Sequence, residues 1–315
     1  MPRRNGLPPE QRPGARVVNE TIAALIADEM LPAAYAGTVA RVWAPVAADI
    51  AALRRRADRP VVIGINGVQG SGKSTACLFI AALLAGEHGL HAVTLSLDDF
   101  YLTRAERQGL AARVHPLFAT RGPPGTHDLE LADRVITELL SGAVPVAVPR
   151  FDKGIDDRLA PADWPRVMAP VDVVLFEGWC IGATPQQESA LLVPINALEA
   201  QEDGEMCWRR HANAALATGY ARLFARIDLL IALRAPDFLV VREWRQLQES
   251  KLRARSGAGA GMDDVSLERF IQHFERLSRN MLATMADSAD ISIAIALNHS
   301  AGAIQWLDRP AENLA

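Results

Sequence analysis

The sequence predicts a parallel α/β sheet with helices on both faces, and two observations carry that prediction. Short apolar runs of strand length recur along the chain with helical stretches between them, the alternation that builds a parallel sheet from strand–helix–strand units. The first of these runs, "VVIGIN", leads directly into "GVQGSGKST", Gly67 to Thr75, a glycine-rich turn that opens onto an apolar helical stretch. With 315 residues, half of them hydrophobic, the chain can bury one large core or two modest ones.

The elements follow in order. Residues 1–16, "MPRRNGLPPEQRPGAR", are charged and proline-rich and are predicted disordered. Residues 17–58 have helical periodicity, as in "ETIAALIADEML" and "VAADIAALRRR", with alanine and leucine favouring helix. "ADRP" punctuates the chain before the first strand at 61–66, and a helix is predicted at 73–86. "HAVTLSL" is a second strand ending at "DDFY", "TRAERQGLAAR" a short helix, "FATRGPPGTHD" a loop by its glycine and proline, and "LELADRVITELLSG" the next helix. "AVPVAVPRFDKGIDDR" is an extended piece running into a polar loop. "VDVVLFEG", "RIDLLIALRA" and "DISIAIAL" complete the strands, the first of them apolar on both faces as a buried parallel strand requires. Helices are predicted at 205–225, 237–255 and 265–286. The expected organisation is a tail and helical extension over 1–58, then a single α/β domain over 59–315.

Composition narrows the function. A formal net charge of −4 gives no reason to expect a nucleic-acid or acidic-membrane partner. No apolar run behind the N-terminus is like a signal peptide's, and none approaches the ~20 residues of a membrane helix, so a soluble cytoplasmic protein is expected. Cys77, Cys180 and Cys207 are far apart and in no metal-like spacing, as inert thiols in a reducing compartment would be. Of the 33 basic residues only three are lysine, Lys73, Lys153 and Lys251. A chain that otherwise uses arginine keeps lysine by chance or where a compact ammonium is needed and a planar guanidinium will not serve.

Gly67, Gly72, Lys73 and Ser74 satisfy G-x-x-x-x-G-K-[ST] in full. That pattern curls backbone N–H groups around phosphate oxygens, sends a lysine to the β and γ phosphates, gives a hydroxyl to Mg²⁺ and sets a helix N-terminus behind the ligand. Gly67, Val68, Gln69, Gly70, Ser71, Gly72, Lys73, Ser74 and Thr75 are therefore the expected nucleotide cradle. A GTPase switch would carry Asn/Thr-Lys-x-Asp, but the lysines lie in "GKST", "DKGI" and "SKLR"; segments typical of transporter or mechanical ATPases are absent as well.

Ligands in open α/β sheets bind beyond the carboxyl ends of the strands. There "SLDDFYLT" supplies Asp98, the candidate base or metal ligand, and Asp99, either a helix cap or a second site carboxylate. "LFEG" supplies Glu177 after four apolar residues, a position suited to Mg²⁺. "TRGPPGTHD" holds Arg121, His127 and Asp128; "PRFDKGIDDR" holds Arg150, Asp152, Lys153, Asp156, Asp157 and Arg158. Two such loops are either solvated charge or a site for a small anionic, hydroxylated substrate, whose carboxylate an arginine fork would bind. "REWRQLQESKLRARSGAGAGMDD", with Arg242, Arg245, Lys251, Arg253 and Arg255, is either a solvated helix face or a lid that closes over phosphates.

In this order the motifs "GVQGSGKST", "SLDDFYLTRAERQGLA", "HPLFATRGPPGTHDLEL", "PRFDKGIDDR", "VVLFEGWCIG" and "WRQLQESKLR…GAGMDD" resemble the plant- and fungal-type D-glycerate 3-kinase family and its bacterial relatives, over roughly residues 60–286. That family sits within the P-loop kinases that include uridine kinase, phosphoribulokinase and bacterial pantothenate kinase. The resemblance implies a P-loop kinase fold with a helical lid, ATP and Mg²⁺ as cofactors, and phosphorylation of D-glycerate to 3-phosphoglycerate. It implies Lys73 and Ser74 as phosphate and Mg²⁺ ligands, Asp98 as base, Glu177 near the metal, and Arg245 and Lys251 on the nucleotide side. Asp99, Tyr101, Arg121, His127, Asp128, Asp152, Lys153 and Arg158 fall in substrate-side motifs. "FDKGIDDR" is shorter than the plant pattern, which has a "YDKS"-like start and a glycine-containing insert before "GDR". The alternatives are another small-molecule kinase of uridine or pantothenate type, or a nucleotide-binding regulator without catalysis. The acids at the strand ends argue against the last, since a binder needs no base.

Overall fold

The computed structural model describes residues 13–246 and 263–307. β1 (Val61–Gly67) is buried along its whole length, with β7 (Val173–Gly178) on one side and β8 (Leu229–Arg234) on the other, both parallel to it. β2 (Ala92–Ser96) extends the sheet beyond β7, and β9 (Ile291–Ile295) extends it beyond β8, both again parallel. The phosphate-loop strand thus lies beside the "VVLFEG" strand. A sixth strand, β10 (Ala301–Trp306), closes the edge antiparallel to β9. The sequence reading has no strand there: "AGAIQW" is broken by glycine and largely exposed, and its pairing depends on the neighbour it meets. Two short antiparallel pairs stand apart from the sheet: β3 (Val146–Ala147) with β6 (Arg166–Val167), and β4 (Phe151–Asp152) with β5 (Asp157–Arg158).

Strand alternation divides the apolar side chains between two cores. Val61, Ile63 and Ile65 face the helix Lys73–His88 and the N-terminal helices; Val62, Val174 and Phe176 face the helices Leu129–Leu140 and Asp264–Ser288. The helix predicted at 205–225 runs from Cys207–Ala215 through a π-helical turn, Leu216–Tyr220, to Phe224.

The helical reading of 17–58 holds, as two helices with a break between Asp28 and Tyr35. Two expectations change. Residues 13–16 belong to a helix, Pro13–Asp28, rather than to a disordered tail. The segment Tyr35–Ala57 is one continuous helical run of 23 residues with mean hydropathy 1.2, long and apolar enough to cross a bilayer by those measures alone. The sequence reading missed it because charges at Arg41, Asp49 and Arg54 interrupt any unbroken apolar run. Its apolar face, with Val42, Trp43, Val46 and Ile50, is buried in the first core, which is what a core helix does with such a face. After β8 a helix starts at 239 and is described to 246; Lys251, Arg253 and Arg255 lie outside the described residues.

Candidate active site

Strand register aims the phosphate end of the site. Ile65 and Asn66 at the end of β1 stand opposite Glu177 and Gly178 of β7, and Ser96 at the end of β2 stands opposite Glu177 from the other side. The carboxyl ends of three strands therefore converge under the glycine-rich loop. Asn66 ties two of them, its amide donating to the Ile181 carbonyl at 2.7 Å and the Trp179 carbonyl at 3.2 Å. The loop needs its glycines for different reasons. Gly70 has φ +82° and packs so close to Trp244 that a Cβ would lie 2.5 Å from that residue's own Cβ. Gly72 has φ +89° with open space around it, so there the backbone conformation alone demands glycine. Lys73 opens the helix and its ammonium bends back to the Val68 carbonyl at 3.3 Å. Ser71 Oγ is buried among loop atoms without a hydrogen-bond partner among the described residues, a donor that a phosphate oxygen would satisfy.

Ser74 Oγ donates to Glu177 Oε1 at 2.9 Å, and Glu177 is buried. A hydroxyl and a buried carboxylate meeting at the foot of a phosphate loop are the hard oxygen donors that Mg²⁺ takes. Among the described residues no group of three His, Cys, Asp or Glu side chains could hold a metal. A cation here would rest on Ser74, Glu177, water and the nucleotide's own phosphates.

A cavity of about 330 Å³ joins this end to a second one. Gln69, Gly70, Lys73, Ser74, Glu177 and Arg245 line the first; Asp98, Asp99, Tyr101, Arg121 and Lys153 line the second. Asp98 Oδ2 accepts from Lys153 Nζ at 2.7 Å, and Oδ1 accepts from the Tyr101 hydroxyl at 2.7 Å. Burial pushes the Asp98 carboxyl up, but the Lys153 ammonium and the hydrogen bonds from Lys153 and Tyr101 outweigh it, and the group is held well below the ordinary carboxylate range. Burial, with the Asp98 charge beside it, pushes the Tyr101 phenol well up, so it stays a neutral donor. Asp99 is raised by burial, against the opposing hydrogen bond from Phe151 N–H and the Arg150 charge. It holds Arg150 Nη1 at 3.0 Å and Phe151 N at 3.1 Å. Arg121 Nη1 donates to Asp156 Oδ1.

Four residues expected on the substrate side do not line the cavity. His127 is buried behind Tyr101, ring centres 4.6 Å apart, with Nδ1 2.5 Å from the Tyr220 hydroxyl. Burial holds its imidazole down at about 4, with Asp98 only partly opposing, so it is neutral. Asp128 caps the helix Leu129–Leu140 through Leu131 N and accepts from Arg158 Nη1 at 3.0 Å. Asp152 is exposed and binds the Gly154 N–H at 2.7 Å. These residues brace the walls rather than form them. In the loop, Gly67 ends β1, Val68 belongs to the first core, and Thr75 is half-buried.

The cavity also has an aromatic wall that sequence reasoning did not find: Phe151, Trp179, Phe270 and Phe274. Trp179 follows "LFEG" directly and could have been flagged by that position. Phe270 and Phe274 sit one helical turn apart on a distant helix, a spacing indistinguishable from ordinary core packing.

No family model matches the chain. It is 35% identical over 225 residues to the uncharacterized kinase mug58 of Schizosaccharomyces pombe, covering 69% of this chain and 79% of that protein. It is 30% identical over 236 residues to the chloroplastic D-glycerate 3-kinase of Arabidopsis thaliana, covering 72% of this chain and spanning about half, 48%, of that protein's length. Among solved structures, a D-glycerate 3-kinase from Cryptococcus neoformans superposes with a TM-score of 0.70 at 25% identity, over 84% of this chain and 98% of that one. Phosphate loop, strand-end acids and these relatives agree: the chain belongs to the D-glycerate 3-kinase family of P-loop kinases.

Proposed function

We propose that this kinase transfers the γ-phosphoryl group of ATP, with Mg²⁺, to a hydroxyl of a small hydroxy acid, D-glycerate, giving 3-phosphoglycerate. The observation that carries the reading is the single cavity with the phosphate loop and the Ser74–Glu177 pair at one end and Asp98, Arg121 and Lys153 at the other. Lys73 would neutralise the β and γ phosphates, and Mg²⁺ held by Ser74 and Glu177 would supply further positive charge there. Asp98, ionised by its surroundings, would take the proton from the acceptor hydroxyl as that oxygen bonds to the γ-phosphorus and the bridging oxygen leaves with ADP. Lys153 would move from Asp98 to the transferring group or the acceptor. Arg121 would bind the acceptor's carboxylate through two N–H groups.

The relatives named D-glycerate 3-kinase support the choice of acceptor. The cysteines Cys77, Cys180 and Cys207 are free thiols, in keeping with a cytoplasmic reaction. The experiment is ADP release with D-glycerate, L-glycerate, glycerol, uridine and pantothenate in parallel. D-glycerate is expected to turn over, and glycerol, which leaves Arg121 without an anion, to fall about a hundredfold or more in kcat/KM. Comparable rates on glycerol, or turnover of uridine or pantothenate alone, would overturn the reading.

A further inference from the structure

Arg121 is held by a chain of contacts that leads away from the cavity into the protein. Its Nη1 donates to Asp156 Oδ1. Asp156 is in turn held by Arg107, whose Nη2 donates to the Asp156 carbonyl at 2.7 Å and to Oδ2 at 2.9 Å. Arg107 has 1% of its surface exposed, and its other donors are satisfied by the Leu102 carbonyl at 3.2 Å and the Ala119 carbonyl at 3.0 Å. It therefore cannot swing, and it welds three separate stretches of chain together. Asp156 has φ +54°, a left-handed conformation that a non-glycine residue keeps only where its surroundings impose it. The guanidinium carbons of Arg107 and Arg121 lie 5.7 and 5.6 Å from the centre of the Phe151 ring, so one aromatic ring supports both.

This arrangement leaves a usable edge. Asp156 occupies Nη1 of Arg121 alone, and among the described residues Nη2 and Nε bond to no other side chain or carbonyl. Arg121 lines the cavity, and Nη2 with Nε is the side of a guanidinium that meets both oxygens of a carboxylate. We propose that Asp156, anchored by the buried Arg107, is a positioning residue that sets Arg121 so that its Nε–Nη2 edge receives the acceptor's carboxylate. The inference rests on the proposed role of Arg121 and adds two residues to the acceptor site that do not touch the acceptor. It also gives Asp156 a part in specificity: a loosely held arginine discriminates less between a carboxylate and a neutral group.

The test is steady-state kinetics of Asp156→Asn, which keeps the side chain's size and one oxygen but removes the charge. KM for D-glycerate should rise about tenfold or more, with KM for ATP within about twofold of wild type. The preference for glycerate over glycerol should shrink by a similar factor. Asp156→Glu, which restores the carboxylate one methylene further out, should recover part of the loss and shows whether the loop still folds. In an Arg121→Ala background the Asp156→Asn change should leave KM for glycerate within about twofold, because the residue acts through Arg121. Equal losses with and without Arg121, or an unchanged KM in Asp156→Asn, would overturn the inference. The two readings fail differently. If Arg121→Ala leaves acceptor KM unchanged, or no hydroxy acid is phosphorylated, the site reading falls and this inference with it. If Arg121→Ala raises KM and Asp156→Asn does not, this inference alone falls.

Discussion

At the phosphate end of the cavity side chains are aimed by the main chain. Glu177 is set by its place in β7 opposite Ile65 and Ser96, and Lys73 by the helix it opens. At the end proposed for the acceptor the same task falls to ion pairs between loops. Lys153 binds Asp98, Arg150 binds Asp99, Asp156 binds Arg121 and Arg107, and Arg158 binds Asp128. A sheet-held site inherits the cooperativity of the fold, and removing one side chain removes its chemistry without moving its neighbours. A site held by ion pairs is less uniform: charge, shape and reach of each partner set the position of the next. The phosphate end should therefore respond to substitution as chemistry lost, and the acceptor end as geometry lost.

The largest effect belongs to the phosphate end. Lys73→Ala should lower kcat by about two orders of magnitude or more while the thermal melt stays close to wild type, since among the described residues its ammonium bonds to the Val68 carbonyl in its own loop alone. Near-native turnover in that variant would mean that the loop does not hold the transferring phosphate. The next effect tests the acceptor end. Lys153→Arg keeps the charge but replaces a compact ammonium, 2.7 Å from Asp98, with a planar fork, and kcat/KM should fall about tenfold, or roughly 1.4 kcal/mol. If Lys153→Arg is silent, shape does not matter there and the contrast between the two ends is wrong.

A third prediction concerns stability. Burial holds His127 and His273 at about 4 in the folded protein, against about 6.5 in an unfolded chain. Above pH ~6.5 both states carry neutral imidazoles and the full stability is present; as pH falls toward ~4 the unfolded chain takes up protons the folded one refuses, and stability drops by up to about 3 kcal/mol per histidine. Melting curves at pH 7 and pH 5 measure the drop, and His273→Gln, neutral at both, should reduce it by about half, His127 carrying the rest. An equal drop in that variant would show that other groups carry the acid sensitivity. The smallest effect is expected from Arg222→Lys, on an exposed helix position outside the cavity, which should leave kcat/KM within about twofold. A clear loss there would mean that lysine–arginine swaps are costly anywhere in this chain, and would remove the meaning of the Lys153 result.

How far each region could be read in advance follows from the same contrast. "GVQGSGKST" and "LFEG" are legible because a local pattern and a strand end imply both a conformation and a direction, and β1 does pair with β7. Lys73 and Lys153, two of the three lysines in a chain that prefers arginine, line one cavity; Lys251 lies outside the described residues. The loops "TRGPPGTHD" and "PRFDKGIDDR" could be read as charged loops but not residue by residue, and both reach the cavity. Arg121 and Lys153 reach the cavity, whereas Asp128, Asp152, His127 and Arg158 do not line it.

By itself the sequence determined the sheet's five parallel strands, the phosphate loop, and the acids Asp98 and Glu177 at the strand ends, because each depends on short-range pattern: apolar runs, glycine conformations and the residue that follows a strand. Tertiary structure alone decided which charge pairs with which. Arg107, a middle residue of "TRAERQGLAAR", reads as a helix surface cation, yet it is buried and fastens Asp156, 49 positions away. Phe270 and Phe274 reach the cavity across more than a hundred residues from Arg121. Ion pairs and aromatic walls have no periodicity along the chain. Their partners are chosen by where the sheet brings the loops together, so they become visible only once the chain has folded.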